Sequence, residues 1–331
     1  MKDSIHPSQP NRVAASAQIP GDSAAHPGIR WQVKKLGKWS GPIGSRLSRR
    51  GWRTVSRNRR GLSGLLILAA IATAAIAAPL LTPYAPLAQD LSKAHMPPFW
   101  IAGGSPAHPL GTDYIGRDVL TRVIYGARVS LLVGLGGVFI ASSVGTTLGL
   151  LAGYVGGWVD GAVTRAADGI LSIPWILFVV FIVAILGSSL LNVILIFGIT
   201  DVPLFTRAVR GEVLALKEQQ FVEAAVSIGA RRMRIIGLHL LPNTIGTVIT
   251  LATFELATMI LWEAGLGFLG LSVPPTIPSW GNMMADGRSY LRSDWWLATF
   301  PGLAVMLCSL GVNLTGDWLR FKLDPRSRGR E

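Results

Sequence analysis

The stretch "VEAAVSIGARRMRIIGLHLLPN", Val222 to Asn243, lies between two long apolar runs. It carries Glu223, Arg231, Arg232, Arg234 and His239, which a bilayer core does not accept cheaply. It is also too regular for a slack linker. Phe221, Ala224, Ala225 and Ile228 fall at i, i+3, i+4 and i+7, the spacing of one helical face, and Glu223 points off that face. Gly229 is placed to end the helix, because glycine accepts the left-handed conformation a helix C-terminus needs. A second short helix is expected from about Ala230, with Met233, Ile236 and Leu240 on one side. Pro242 is expected to stop it and to open the next apolar run within its first turn. The reading is helix, glycine turn, helix: a rigid knob whose apolar face a partner can bury and whose charges can form ion pairs. On periodicity alone, the same pattern also fits an amphipathic helix lying on a membrane surface.

Outward from this insert, the composition places the chain in a membrane. Of its 331 residues 50% are hydrophobic and 15% charged, with a mean hydropathy of +0.44, where soluble domains carry about 25% charged residues. Six apolar stretches stand out: Leu62–Leu81, Ser130–Tyr154, Ile170–Leu186, Leu190–Arg207, Ile245–Leu269 and Trp296–Leu314. Each is near the roughly 20 residues that cross the hydrocarbon core as a helix, and helices satisfy their own backbone where lipid offers no partner. The expected fold is therefore an all-α polytopic membrane protein with six transmembrane helices. The first stretch has a basic flank and the small-residue run Ala75-Ile76-Ala77. Its long apolar core and the roughly 60 residues before it read as a retained helix rather than a cleaved signal.

The net charge of +13 is concentrated in one place: residues 1–61 hold 13 Lys/Arg against Asp3 and Asp22. A basic block before an apolar segment reads as a cytoplasmic flank and not as a nucleic-acid site. Residues 1–30 read as disordered. Trp31, Trp39 and Trp52, mixed with Lys and Arg, fit either a segment on anionic lipid or a solvated linker. With the N-terminus inside, the inside segments carry 25 of the 31 Lys/Arg and the outside segments 6. Both termini are then cytoplasmic, and the insert is a cytoplasmic loop between helices 4 and 5. The chain divides into a basic tail (1–60), a first helix with its external loop (61–107), a five-helix domain (108–316) and a short basic tail (317–331) anchored by Arg320, Lys322, Arg326, Arg328 and Arg330.

Enzymatic and metal chemistry find little support. Cys308 is the single cysteine and the five histidines show no metal spacing. No GxxxxGK[ST] loop is present, so no bound cofactor and no ATP hydrolysis by this chain are expected. Asp113, Arg117, Asp118 and Arg122 resemble a catalytic set but fit better as ion pairs capping a helix that enters the membrane, with Asp118 and Arg122 at i, i+4. Gly134, Gly136, Gly137, Gly145 and Gly149 would let the second helix approach its neighbours closely. Glu255 and Glu263, eight residues apart on one broad helical face, are intramembrane acids and candidates for lining a path. Pro203 is expected to kink the fourth helix, with Asp201 capping the break.

Glu223-Ala224-Ala225, Gly229 and Leu241-Pro242 together resemble the EAA loop of ABC-transporter permeases. His239 before Leu-Pro resembles the dipeptide/oligopeptide/nickel branch. "HPLGTDYIGRDVLTRVIYGARVSL" (108–131), "PSWGNMM" (278–284), "NLTGDWLRFKLDPR" (313–326) and "RNRRGLSGLLILAAIATAAIAAPLLTPYAP" (57–86) are similar to other segments of that branch, the last to its C-type subunit. The resemblance covers about 57–326. It implies a permease in a prokaryotic inner membrane, with a homologous second permease, two ATPase subunits that use the ATP and grip the loop, and an extracytoplasmic solute-binding protein. It also implies import of peptides, or of nickel or another small solute. An ion-coupled secondary carrier is the different-class alternative, and it predicts inverted repeats that are not evident here.

Overall fold

A computed structural model describes residues 59–323. The chain divides into two units, Met1–Ser48 and Arg49–Glu331; the first, with most of the basic tail expected over 1–60, lies outside the described residues. So do Arg326, Arg328 and Arg330. Among the described residues every regular element is helical, apart from one isolated bridge between Thr112 and Asp118.

The elements run α1 (Arg59–Ile76), α2 (Ala78–Leu81), α3 (Val119–Val155), α4 (Gly157–Leu171), α5 (Trp175–Leu186), α6 (Leu190–Leu216), α7 (Gln220–Ser227), α8 (Arg232–Ile235), a π turn (Ile236–Leu240), α9 (Leu241–Phe268), α10 (Trp280–Gly287) and α11 (Trp296–Leu323). Five helices are long and apolar enough to cross a membrane, or six if α4 and α5 count as one bent span.

The spine is the pair α3 and α6, and glycine sets its closeness. A Cβ on Gly136 would meet Ile194, on Gly145 Phe205, on Gly149 Val209 and on Gly153 Val213. The offset between partners stays near 60 residues, so the two helices run parallel. The segment between them must then return the chain from the end of α3 to the start of α6, and α4 with α5 does so. α3 also meets α9, antiparallel, through Gly134 against Ile260 and Gly137 against Met259. Gly61 and Gly64 of α1 seat Trp318 and Leu314 of α11 in the same way.

Gly145 gives the sharpest test of this packing. An added Cβ would lie 2.5 Å from Cβ of Phe205 and 2.8 Å from the carbonyl oxygen of Val202. Gly145→Ala is expected to cost about 1–3 kcal/mol by overpacking, read as a lower unfolding midpoint of the purified protein in detergent. Gly246→Ala, where nothing lies within 4 Å, should leave the midpoint unchanged or raise it. Equal midpoints for the two variants would contradict the close approach.

Three sequence expectations change. The third span is not a straight helix over Ile170–Leu186: α4 ends at Leu171, α5 starts at Trp175, and the two meet at 86°. Pro174 accounts for the break, having no N–H to continue the ladder and disfavouring helical geometry in the residue before it. The second and fourth spans are longer than expected, at 37 and 27 residues. α6 runs unbroken through buried Pro203, and Asp201 caps no break.

The charged segment before α3 also differs. Asp118 is the N-cap of α3; its carboxylate accepts from the Thr121 amide (2.7 Å) and hydroxyl (2.6 Å), and from His108 Nδ1 at 3.0 Å. Committed there, it does not pair with Arg122. Arg122 instead joins Arg117 on two carboxylates: both reach Asp113 Oδ2 at 2.6 Å, and both reach Asp286 Oδ2, at 3.0 and 2.9 Å. Two guanidiniums and two acids thus form a closed square that ties the segment before α3 to α10.

Candidate functional site

The stretch from Gln219 to Asn243 folds as an elbow. α7 ends in a Schellman turn: the Ala230 amide donates to the Ala225 carbonyl at 3.1 Å and the Gly229 amide to Val226 at 2.9 Å. Gly229 has φ +76°, the left-handed position such a turn requires. The chain reverses there, and α8 then runs through the π turn into α9, with Leu241 donating to the Ile236 carbonyl, five residues back. Pro242 therefore does not stop the second helix, which continues from Arg232 to Phe268. The wide turn gives the proline ring room that a regular α-helix would deny it, and the Asn243 side chain donates to the His239 carbonyl at 2.6 Å.

The elbow has two apolar faces. Val222, Ala225, Ile235, Ile236 and Leu240 are buried and seat it against Leu150 of α3 and Val209 and Val213 of α6. Each larger side chain there contributes about 1.5–3 kcal/mol of hydrophobic stabilisation. The face picked out by sequence periodicity is the other one. Ala225 alone of its four residues is buried; Phe221 is 41% and Ile228 85% exposed. Met233 does not join Ile236 and Leu240 inside either; it is 70% exposed, and Ile235 takes the inner place, because the π turn shifts the helical phase. Glu223 is exposed in the first turn of α7.

Between the arms opens a cleft of about 830 Å³, lined by Phe221, Ala224, Ile228, Arg231, Arg234 and His239 among others. Its floor is apolar, and two arginines stand beside it. The His239 ring lies 6.3 Å from that of Phe221. Of the motif residues, Glu223, Ala224, Gly229 and Pro242 are exposed, His239 and Leu241 half-buried and Ala225 buried. The fold brings one end of the motif within reach of the other across Gly229. A surface with an apolar floor and cationic sides can hold a helix or loop that offers apolar residues flanked by acids.

The two acids of α9 lie elsewhere. Glu263 is fully buried, accepting from Ser130 Oγ at 2.7 Å and Ser272 Oγ at 3.1 Å; it joins α3 to the segment after α9. Glu255 is 7% exposed and its carboxyl meets that of Asp201 on α6. Sequence reading missed Ser130, Ser272 and Asp286, since none stands at helical spacing from its partner. No group of three or more metal-ligating side chains occurs among the described residues.

Comparison with known proteins places this architecture among transport permeases. Residues 145–329 match the family described as binding-protein-dependent transport system inner membrane component, and residues 46–98 match the N-terminal TM domain of oligopeptide transport permease C. The chain is 42% identical over 280 residues to the dipeptide transport system permease protein DppC of Alkalihalophilus pseudofirmus, covering 85% of this chain and 90% of that one. It is 40% identical to the di/tripeptide transport system permease protein DppC of Pseudomonas aeruginosa, covering 83% and 91%. It is 39% identical to the glutathione transport system permease protein GsiD of Escherichia coli, covering 84% and 90%. A solved structure of the MetNI methionine ABC transporter, in an inward facing conformation, covers 62% of this chain and 97% of its own at TM-score 0.50 and 22% identity; that likeness concerns the fold alone. The chain belongs to the family of inner membrane components of binding-protein-dependent ABC transport systems. It is a multi-pass protein of a prokaryotic inner membrane.

Proposed function

We propose that this chain is the C-type permease subunit of an ATP-driven importer that takes di- or oligopeptides from a solute-binding protein and releases them into the cytoplasm. The relatives' names support the solute class: two carry dipeptides or di/tripeptides in their names and a third glutathione. Nickel, the alternative in the sequence reading, has no such support among them. In this reading the chain crosses the membrane six times. The parallel run of α3 and α6 supports that count, because α4 and α5 have to carry the chain back between them. Both termini and the elbow then lie in the cytoplasm, on the side richer in Lys and Arg.

The elbow is the docking site of an ATPase subunit. ATP hydrolysis belongs to two such subunits, and the chain works beside a homologous permease. The observation that carries this reading is the elbow's doubled apolar character: one face is spent on α3 and α6, while the other stands open with Phe221 and Ile228 exposed beside Arg231 and Arg234. When the ATPases close, the elbow moves and the spans switch between their two openings, a bistable bundle biased by a docking contact.

The test is assembly followed by uptake. Arg234→Glu reverses a charge beside the cleft and is expected to reduce co-purification of the ATPase subunits about tenfold, the equivalent of ~1.4 kcal/mol, with membrane levels of this chain unchanged. Glu223→Ala should weaken the same contact less, as an exposed pair does. Uptake of labelled dipeptide by cells carrying Arg234→Glu should fall in parallel. Normal ATPase recovery with Arg234→Glu would remove the elbow from the docking role.

A further inference from the structure

The segment after α2 is free of Asp, Glu, Lys and Arg from Ala94 to Thr112. Its tip carries Phe99 and Trp100, 54% and 51% exposed. These rings belong to a chain of aromatics. Phe99 stands edge-on to Trp100 at 5.1 Å, Trp100 lies 6.1 Å from Phe300, and Phe300 lies 6.0 Å from Trp295. Trp295, 39% exposed, directly precedes α11, and Phe300 lies within its first two turns.

α11 supplies a ruler for depth. No charged residue occurs between Asp294 and Asp317. At 1.5 Å per residue that run is about 33 Å long, close to the ~30 Å of a hydrocarbon core. One boundary of the bilayer therefore falls at Asp317, where Arg320 and Lys322 follow, and the other at Asp294 and Trp295. Trp100, packed on Phe300, lies at or just inside that second boundary. Tryptophan there has its apolar rings in the acyl edge and its N–H among the headgroups. The cluster is continuous with an exposed apolar side of α11, where Leu303, Met306 and Leu310 stand.

We propose that the tip of this loop, Phe99 to Gly103, is inserted into the outer-leaflet interface of the lipid bilayer, and does not project into the aqueous space. The ligand is a lipid surface, met by an uncharged aromatic tip. The Trp100–Phe300 contact then holds the loop against α11 at a fixed depth. This rests on α11 crossing the membrane and on the proposed cytoplasmic placement of both termini, and is independent of the solute carried and of what docks on the elbow.

The experiment uses the full-length chain in lipid nanodiscs. Trp100→Cys and, separately, Ala102→Cys, which leaves every ring in place, are labelled with an environment-sensitive fluorophore. Cys308 is fully buried, so the new thiol is the reactive one. The control is Arg292→Cys on the exposed external turn before α11. Lipids spin-labelled at the headgroup or near the top of the acyl chain are expected to quench the loop labels about twofold more than the control, as for an interfacial anchor. Aqueous iodide should quench them less. Quenching by iodide equal to the control at both loop positions would overturn the proposal. So would protection from lipid and iodide alike, since a protein surface would then be covering the tip.

Discussion

Gly229→Val is expected to abolish most transport while leaving the protein in the membrane. Beyond its chain neighbours no atom lies within 4 Å of where its Cβ would be, so no packing is lost. The cost is in the backbone: φ at Gly229 is +76°, and a β-branched residue is a genuine outlier there, at roughly 1–2 kcal/mol for the left-handed conformation. The chain can relieve that strain by opening the Schellman turn, which frees the Ala225 and Val226 carbonyls. α7 would then swing relative to α8, and the two lips of the cleft, Phe221 on one side and Arg231 and Arg234 on the other, would lose their spacing. Dipeptide uptake should drop about tenfold or more, the equivalent of ~1.4 kcal/mol in docking. Membrane abundance should stay within about twofold, because the seating face remains buried. Gly229→Asn separates backbone from bulk: asparagine tolerates the left-handed region, so it should keep most of the activity. If valine and asparagine transport equally well, the turn geometry is irrelevant to coupling.

The second large effect lies at the opposite end of the molecule. Arg122 is 2% exposed, and its guanidinium bridges Asp113 and Asp286 alongside Arg117. Removing one member of a buried, balanced network leaves an uncompensated charge, at about 3–5 kcal/mol. Arg122→Ala is therefore expected to lower thermal stability in detergent by about that amount and to loosen the contact between the segment before α3 and α10. Arg122→Lys should rescue little, since a single ammonium does not reproduce a planar fork held by two carboxylates. A loss under about 1 kcal/mol would put the square in the class of exposed ion pairs.

How much of this was legible in the sequence depends on the range of the interaction. The helical class, the main apolar runs and the glycine turn were readable, because each rests on neighbours along the chain. The glycines of α3 were also legible as close-approach points. The direction of α7 was not. Phe221, Ala224 and Ile228 share the apolar periodicity of Val222 and Ala225, and period alone cannot say which of two apolar faces belongs to the chain's own core. The phase of Met233 was misjudged because a π turn inserts a residue that the 3.6-residue rule does not foresee. Asp286 is 164 residues from Arg122 and Ser130 is 133 from Glu263; nothing local marks such pairs. Pro174 and Pro242 show that one residue type reads differently by setting. The first breaks a span at 86°; the second is absorbed at the start of α9.

Because the π turn absorbs Pro242, no loop interrupts the helix that runs from the cleft to the contact with α10. From Arg232 to Phe268 the chain is one rod of 37 residues, about 55 Å long. Near its far end Gly267 packs with its backbone against Gly281 of α10, and α10 carries Asp286 of the charged square. In the proposed transport cycle, a push at Arg234 would travel along this helix to α10 and so to the charged square. A single continuous helix thus joins the cleft to the contact with α10.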